Sequence, residues 1–486
     1  MTDWTAAVDV GTSAVKAVLL DAQGRIRTSG QAEVPSADGE QEPEDWWEAT
    51  IDALRQCGEG VGKVRLLALT GQMQDLVCVG GDRPLRPAIL YSDTKAHSEL
   101  AKAHRLLGPE WTDVTRNEQD ASSLPAKVLW LRKHEPDVLD RSELVLFGAS
   151  GYIGWRLTGV GCCDVTTAST TGLLDAATRT WWPTAVNVLG LREVLPPLVD
   201  GETVIGTATP PAAREAGLLP GIPVVVAPGD AVSTTIGIVG DDPDRGYIYL
   251  GTSGWLAVVV SEARVPTAAH RLLLPTPGRQ LMIGAVLSAG AAADWARRTF
   301  LPGMSADDAD RLAAEAGPSG LLALPSVRGE RFPVRDPLAR GVVVGMTDTT
   351  RPDQLYRAVL EGVAFAFRPL LDTVPDNGVP IPITGGGARS ALWQRIFADV
   401  LGRPVLPTNT SVGVAALGAA ATAIRAAGGR TPPPLADRND STMLRPGPAS
   451  TQYAKLAPAH AALLSTLAPT FQALQHGAPS VIRARS

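Results

Sequence analysis

Cysteine and histidine are both scarce in this 486-residue sequence, with four and six copies. None of Cys57, Cys78, Cys162 and Cys163 has a second pair at the spacing of a zinc site, and the histidines show no ligand-like spacing. The sequence therefore predicts no transition-metal site. A disulfide between the vicinal Cys162 and Cys163 would be strained, so all four are expected to be reduced thiols in a cytoplasmic protein, most simply small buried hydrophobic side chains.

Long apolar runs and an excess of basic charge are also missing. No run reaches the ~18 apolar residues that cross a bilayer. The N-terminal sequence MTDWTAAVDV has no basic region followed by an apolar one, as a signal peptide would. The formal net charge is −6, the pI is near 5.6, and only seven of the 44 basic residues are lysine. These values argue against nucleic-acid and membrane partners, whereas an anionic ligand needs only local donors.

The length and the hydrophobic content indicate more than one globular core. A chain of 486 residues is too long for a single core, so two or more domains are expected. Hydrophobic residues make up 45% of the chain, as in soluble globular proteins. Strand-like and helix-like segments alternate along the sequence, which predicts the α/β class.

The stretch 224–260 holds the strongest candidates for chemistry. Val224–Ala227 is short, β-branched and bounded by Pro and Gly, which predicts a buried strand that ends just before Asp230. Tyr247–Leu250 and Trp255–Val260 are predicted to form a hairpin around the loop Gly251–Gly254. Backbone N–H groups and hydroxyls in such a loop can bind phosphate.

The same pattern occurs near the start of the chain. The apolar runs Ala6–Val10 and Val15–Leu20 flank Gly11-Thr12-Ser13, and the string Gly-Thr-Ser returns at 251–253. Its matching place in two halves of similar length makes an internal duplication plausible. Each loop alone is explained by a tight hairpin turn, in which Gly and Ser are common. Two matched loops favour phosphate binding.

Further elements follow from periodicity and from capping residues. Helices are predicted over Pro43–Cys57, Leu124–His134, Gly148–Leu157, Pro210–Leu219, Ala289–Phe300, Arg351–Leu371, Ser390–Leu401, Ala415–Ala427 and Tyr453–Gln475. Strands are predicted over Val64–Leu69, Ala88–Tyr91, Gln280–Leu287 and Pro380–Thr384. The Thr- and Ser-rich segment Asp164–Leu174 is expected to be a loop, and residues 428–450 a surface segment.

Two carboxylates stand out by their position. Asp9 lies inside an apolar strand, where a carboxylate must be paired or bound to metal, so Mg²⁺ coordination beside a phosphate loop and capping of backbone N–H groups are both open. Lys16 on the partner strand either offsets phosphate charge or is exposed. Asp230 is the candidate base for phosphoryl transfer to an alcohol, and the N-cap of a helix starting at Ala231 is its structural alternative.

Other candidate residues lie at strand ends. The triplet Gly385–Gly387 suits either close approach to a flat ligand such as adenine or a tight strand-to-helix turn. Gln72, Gln74, Asp75 and Asp93 follow apolar strands, and their amide and carboxylate groups suit a polyhydroxylated ligand. Each of them alone is more often a loop residue with satisfied hydrogen bonds.

These pieces resemble the FGGY family of carbohydrate kinases over essentially the full length, and within it the branch that phosphorylates xylulose. The motifs that carry the resemblance are Val8–Ser13 with Lys16, Pro43–Trp47, Gly71–Met73, Arg86–Leu90 with Asp93, Trp155–Gly159, Gly229–Ala231, Leu250–Gly254, Gly341–Glu361 and Gly385–Pro404.

The resemblance implies two ribonuclease-H-like domains of the actin, hexokinase and chaperone-ATPase type, at residues 1–238 and 239–486, with the active site in the cleft between them. It also implies ATP and Mg²⁺ as cofactors, a sugar substrate and cytoplasmic localisation, and it is compatible with a homodimer, because dimers are common among such relatives. Asp230 would be the general base and Asp9 the acid near the metal, with both carboxylates as metal ligands. Nucleotide contacts would come from Gly11, Thr12, Ser13, Lys16, Gly251, Thr252, Gly290, Gly386, Gly387 and Ser390. Sugar contacts would come from Gln72, Met73, Gln74, Asp93 and Asp230.

The sugar-facing segments depart from that branch. Gln74-Asp75 stands where His-Gly is usual, and Tyr91-Ser92 stands where Trp and a small polar residue are common. Glutamine cannot become cationic as histidine can. D-xylulose is the first expectation for the substrate, and another pentulose, a polyol or gluconate remains open. A nucleotide-binding protein without catalysis is a third possibility, against which the retention of both loops and both carboxylates argues.

Overall fold

The computed structural model describes residues 4–35, 38–261, 269–332, 334–372, 374–408, 413–438 and 443–477. Residues 439–442 of the surface segment expected at 428–450 therefore lie outside the described residues. Within these ranges, no helix combines the length and apolarity that spanning a bilayer would require.

The strands are short, and most are buried on at least one face. They are β1 (Trp4–Val10), β2 (Ala14–Leu20), β3 (Ile26–Glu33), β4 (Glu40–Gln41), β5 (Val64–Gly71), β6 (Met73–Gly80), β7 (Arg83–Pro84), β8 (Ala88–Ile89), β9 (Leu144–Gly148), β10 (Cys163–Asp164), β11 (Leu174–Asp175), β12 (Thr180–Trp181), β13 (Leu198–Val199), β14 (Val204–Thr207), β15 (Pro223–Val226), β16 (Gly246–Leu250), β17 (Gly254–Ser261), β18 (His270–Leu273), β19 (Arg279–Val286), β20 (Leu322–Leu324), β21 (Val342–Val344), β22 (Ile381–Thr384) and β23 (Val405–Pro407).

Helices alternate with these strands, which confirms the α/β class. They are α1 (Pro43–Gln56), α2 (His97–Leu107), α3 (Trp111–Thr115), α4 (Leu124–His134), α5 (Pro136–Asp140), α6 (Ala149–Thr158), α7 (Val165–Thr170), α8 (Pro183–Val188), α9 (Pro210–Glu215), α10 (Asp230–Val239), α11 (Gly290–Phe300), α12 (Ala306–Ala316), α13 (Pro352–Leu371), α14 (Ala391–Leu401), α15 (Val414–Ala426) and α16 (Ser450–Gly477).

The chain divides into two compact units. The first unit comprises residues 1–241, 271–281 and 411–434, and the second comprises 242–270, 282–410 and 435–486. The division after residue 241 lies three positions beyond the domain boundary expected after residue 238. The segments 271–281 and 411–434, which that expectation placed in the second domain, belong to the first compact unit.

A mixed six-stranded sheet with the order β14-β15-β5-β1-β2-β3 organises the first unit. β1 pairs antiparallel with β2, as the hairpin pattern predicts, and parallel with β5, which in turn pairs parallel with β15. The carboxyl ends of β1, β5 and β15 therefore meet at one edge of the sheet, where α/β proteins commonly bind ligands.

Helices cover this sheet because both of its faces are apolar. Along β1, Ala6, Ala7, Val8 and Val10 are all fully buried, although successive side chains point to opposite faces. α1 and α6 pack in one core with alternate strand residues, and α15 packs against β1, β5 and α10. The α10–α15 contact is so close that a Cβ atom at Gly418 would overlap the backbone carbonyl of Ser233.

The second six-stranded sheet repeats the pattern of the first. Its order is β18-β19-β17-β16-β22-β23, with β16 antiparallel to β17 and parallel to β22. β16 and β17 thus correspond to β1 and β2, and both Gly-Thr-Ser strings lie in the hairpin loops, as predicted. The matching topology supports the internal duplication that the sequence suggested.

Two local expectations were wrong. Asp164–Leu174 is not a loop, because Val165–Thr170 is helix α7, and the Asp164 side chain caps it by accepting a hydrogen bond from the N–H of Thr167 at 3.0 Å. The strand expected over Ala88–Tyr91 is only the two residues of β8. Both errors arose because Thr, Ser and apolar residues are compatible with more than one kind of secondary structure. Contacts with the rest of the fold then decide which structure forms.

Candidate active site

Asp9 and Asp230 both lie at the carboxyl edge of the first sheet. Asp9 is the next-to-last residue of β1, and Asp230 follows β15 after a three-residue turn. The Thr70 hydroxyl near the end of β5, which lies between β1 and β15, donates to the carbonyl of Pro228 at 2.7 Å and so connects β5 to the turn before Asp230. Because both carboxylates lie at this edge, the charge of Asp9 acts on Asp230 although the two residues are distant in sequence.

Burial makes both carboxylates unusually basic. Burial raises the pKa of Asp9 to about 6, against the charge of Lys16, which lies directly opposite on β2. Burial raises the pKa of Asp230 to about 8, and the negative charge of Asp9 adds to this effect. Asp230 is nevertheless partly exposed. A partly exposed carboxyl with a pKa near neutrality can accept and release a proton during a reaction.

Helix α10 begins at Asp230 itself. Gly229, not Asp230, occupies the N-cap position, so the capping alternative for Asp230 does not describe this helix. A Cβ atom at Gly229 would overlap the Met73 sulfur. A larger residue immediately before the candidate base would therefore force the Met73 side chain to move.

Asp164 supports this turn and was missed as a site residue in the sequence. Its fully buried carboxylate accepts from the N–H of Gly229 at 3.2 Å, besides capping α7. It thus fixes the peptide that precedes Asp230. The signal that was overlooked is the pattern Asp-x-x-Thr, in which an Asp precedes a helix and its side chain caps the first turn.

The first Gly-Thr-Ser loop is held by a buried amide network. The Thr12 hydroxyl donates to Gln72 Oε1 at 2.7 Å, Gln41 Nε2 donates to the Thr12 carbonyl at 2.7 Å, and Gln72 Nε2 donates to Gln41 Oε1 at 3.1 Å. Gln72 is only 2% exposed. The structure therefore places Gln72 as a brace for the loop, whereas Ser13 at the loop tip is exposed.

The segments expected to contact sugar lie beside this edge. Met73 and Gln74 are half-buried at the start of β6, and Gln74 has a left-handed backbone with φ of +66°. Gln74 Nε2 donates to the Ser122 carbonyl at 3.1 Å. Asp93 is largely buried, accepts from the N–H of Lys95 at 2.7 Å and forms an ion pair with the same lysine at 3.2 Å.

In the second unit, the Gly251–Ser253 loop packs against the start of α11. The N–H of Gly290 donates to the Gly251 carbonyl at 2.8 Å, and that of Ala291 donates to the Thr252 carbonyl at 3.0 Å. A Cβ atom at Gly290 would lie 2.6 Å from the Gly251 carbonyl oxygen. Glycine at 290 is thus required by packing, which is independent of any contact with adenosine.

The glycines of the triplet after β22 differ in how closely neighbouring atoms pack against them. A Cβ atom at Gly387 would lie 3.0 Å from Leu250 and from Trp393, whereas one at Gly386 would meet no atom within 4 Å. Ser390 caps α14, accepts from the N–H of Trp393 at 3.1 Å and donates to Asp310 at 2.5 Å. Gly386 is therefore the exposed member of the triplet.

Comparison with known proteins agrees with this architecture. The model of the N-terminal domain of the FGGY family of carbohydrate kinases matches residues 4–237, and the model of its C-terminal domain matches residues 246–427. The xylulose kinase of Escherichia coli (strain K12) is 33% identical over 431 residues, which cover 85% of this chain and 88% of that protein.

Two solved structures are also similar to this chain. A gluconate kinase from Lactobacillus acidophilus superposes with a TM-score of 0.87 at 25% identity, covering 98% of this chain and 100% of its own. A ligand-bound xylulose kinase from the same organism gives a TM-score of 0.85 at 25% identity, covering 97% and 100%.

Proposed function

Because the chain belongs to the FGGY family of carbohydrate kinases, we propose that it transfers the terminal phosphoryl group of ATP to a hydroxyl of D-xylulose. Members of this family use ATP. The proposal rests above all on Asp230, a partly exposed carboxyl at the carboxyl edge of the sheet, whose pKa burial raises to about 8. The xylulose kinase of E. coli, at 33% identity, supports the choice of substrate.

Asp230 acts as the general base in this proposal. As the acceptor oxygen attacks phosphorus, its O–H bond breaks and the proton passes to the Asp230 carboxylate, while the bond from phosphorus to the leaving oxygen of ADP breaks. The raised pKa makes the carboxylate a stronger base than an ordinary aspartate. Asp164 anchors the peptide that precedes it. General bases contribute typically about 10²–10⁴-fold to rate.

The two Gly-Thr-Ser loops are proposed to bind the phosphates of the nucleotide. Hairpin loops of this kind present backbone N–H groups and hydroxyls to an anion. In the first unit, Gln72 and Gln41 keep the Thr12 loop in one conformation, and Lys16 adds a positive charge on the neighbouring strand. In the second unit, Gly251 and Thr252 are anchored through their carbonyls by the start of α11, and the exposed Gly386 leaves room for the adenosine.

The donor set fits Mg²⁺. Mg²⁺ in phosphoryl-transfer enzymes is commonly bound by one or two carboxylates together with substrate phosphates and water. Asp9 and Asp230 supply two carboxylates at one sheet edge, and the described residues contain no group of three or more His, Cys, Asp or Glu side chains that could hold a metal by themselves. When bound, Mg²⁺ would neutralise charge on the transferring phosphoryl group.

The charge of the site favours a neutral acceptor. Asp9, Asp75 and Asp164 all act on Asp230 with negative charge. An aldonate would bring a further carboxylate towards these groups, and like charges repel one another strongly where water is scarce. Gluconate, the substrate named for one structural relative, is therefore the weaker candidate. A neutral pentulose or polyol avoids this repulsion.

A coupled ADP-release assay tests the proposal. The purified protein with Mg-ATP should release ADP with D-xylulose faster than with L-ribulose, xylitol, glycerol or D-gluconate. Asp230→Ala should lower this rate by several orders of magnitude. Asp113→Ala, which changes an exposed aspartate on α3, should not. Full activity in Asp230→Ala, or ATP binding without any acceptor-stimulated ADP release, would contradict the proposal.

A further inference from the structure

Two fully buried charged residues, Asp75 and Lys127, lie behind the segments that carry Gln74 and Asp93. Asp75 is inside β6, and its Oδ1 accepts from the N–H of Tyr91 at 3.0 Å. Among the described residues, its Oδ2 has no hydrogen-bond partner. A buried carboxylate of this kind needs a compensating charge or hydrogen bond.

Lys127 supplies that compensation from helix α4. Its ammonium group is fully buried and donates to the Leu90 carbonyl at 2.7 Å and to the Gln74 carbonyl at 3.5 Å. Burial lowers the pKa of Lys127, and the charges of Asp75 and Asp93 oppose this effect. The opposite charges of Lys127 and Asp75 therefore stabilise each other in the interior.

Together the two side chains bind two separate backbone segments. Lys127 joins the carbonyls of Gln74 and Leu90, and Asp75, which follows Gln74, holds the N–H of Tyr91. The backbone of Gln74 needs such support, because a left-handed conformation is unfavourable for a residue with a side chain. Asp93 lies two residues after Tyr91, so the hydrogen bond to Tyr91 also holds the segment that carries Asp93.

We propose that Asp75 and Lys127 are a positioning pair that fixes Gln74 relative to Asp93 and thereby determines which acceptor is phosphorylated. The inference rests on the proposed function, since that function assigns the sugar contacts to Gln74 and Asp93. Both side chains are fully buried, so they influence the acceptor through the backbone that presents the two contacting side chains. The charge of Asp75 also acts on Asp230.

Three variants separate the roles of charge and hydrogen bond. Asp75→Asn keeps an oxygen for the N–H of Tyr91 but removes the charge, and Asp75→Ala removes both. Asp75→Ala/Lys127→Met removes the positioning pair without leaving a buried ammonium group unpaired, so it keeps the test valid if the single alanine variant fails to fold. Lys133→Met, on the same helix but with a largely exposed side chain that pairs with the buried Glu99, is the matched control.

The expected result is a change of selectivity. In Asp75→Ala and in the double variant, KM for the preferred acceptor should rise about tenfold or more and the order of acceptors should change, because a lost buried hydrogen bond and misplaced contacts cost binding. KM for ATP should stay within about twofold of its original value. Asp75→Asn should recover part of the acceptor affinity, and Lys133→Met should behave as the unmodified protein.

Calorimetric titration of the same acceptors without ATP gives the ranking independently of turnover. A folded variant that lacks the positioning pair but keeps the original ranking of acceptors and the original acceptor KM would overturn the inference while leaving the proposed function intact. An equal loss for every acceptor and for ATP would show a merely structural role. If the unmodified protein neither binds nor phosphorylates any acceptor of the panel, the proposed function fails first and this inference falls with it.

Discussion

Replacing Asp230 by asparagine should stabilise the protein at neutral pH while removing most of its activity. The pKa of Asp230 is about 8 in the folded chain, and an unfolded aspartate has a pKa of about 3.9. The folded state therefore binds this proton more tightly than the unfolded state does. Below pH ~4 the carboxyl costs no stability, and the cost grows by about 1.4 kcal/mol per pH unit up to about pH 8, above which it is constant.

Between pH 5 and pH 7 the stability advantage of Asp230→Asn should thus grow by about 3 kcal/mol. Urea unfolding followed by tryptophan fluorescence measures this, since most tryptophans lie in the first unit with Asp230. EDTA keeps divalent cations away from the carboxylates, and comparison at equal pH cancels the titration of all other groups. An advantage that stays constant from pH 5 to pH 7 would refute the reasoning.

Asp21 provides a control of opposite sign. Hydrogen bonds from the backbone N–H groups of Arg25 and Gln23, and from the side chains of Arg25 and Arg27, outweigh burial and lower the pKa of Asp21 to about 2. Its contribution to stability is present at neutral pH and is lost as the pH falls towards 2. Asp21→Asn should therefore destabilise the protein at pH 7, and the difference should shrink on acidification.

Three further substitutions test the packing and the support of the site. Gly418→Ala forces a Cβ atom into the Ser233 carbonyl and should destabilise the first unit by about 3 kcal/mol, measured by urea unfolding, and an unchanged midpoint would contradict the close helix contact. Glu361→Ala leaves the buried Arg357 without its ion-pair partner at 2.8 Å and should cost roughly 3–5 kcal/mol in the second unit, whereas a cost under about 1 kcal/mol would show that other groups compensate. Asp164→Ala should lower kcat more than acceptor KM because the peptide before the base loses its anchor, with partial recovery in Asp164→Asn, and an unchanged kcat would show that the anchor is dispensable.

Much of the fold could be predicted because its strands are local apolar runs. Val224–Ala227 and the two hairpins around Gly-Thr-Ser were located from β-branched runs and small loop residues, and β15, β1–β2 and β16–β17 confirm them. Helix α4 follows the predicted bounds Leu124–His134. The order of strands in the sheets required the long-range pairing that only the folded chain shows.

The site was only partly predictable, because several of its contacts join residues that are far apart in the sequence. Asp9 and Asp230 were conspicuous, since a carboxylate within or directly after an apolar strand is rare. Gln72 was expected to contact the sugar, and that expectation stays a prediction. The hydrogen bond that Gln72 accepts from Thr12, sixty positions away, could not be foreseen, because no local pattern announces that contact. Asp75 was likewise considered a strand-end residue, whereas β6 continues through it and buries it.

The late position of helix α15 in the chain has a consequence for synthesis. Its residues Val414–Ala426 pack against β1, β5 and α10, which are all made before residue 240. At about 5–20 residues per second, the ribosome needs roughly 10–40 s to reach α15 after finishing α10. During that interval the apolar sheet face that α15 covers lacks its partner, so the first unit cannot complete its core while the second is being made. A nascent chain released before residue 426 should therefore engage chaperones or aggregate, whereas the finished chain should not.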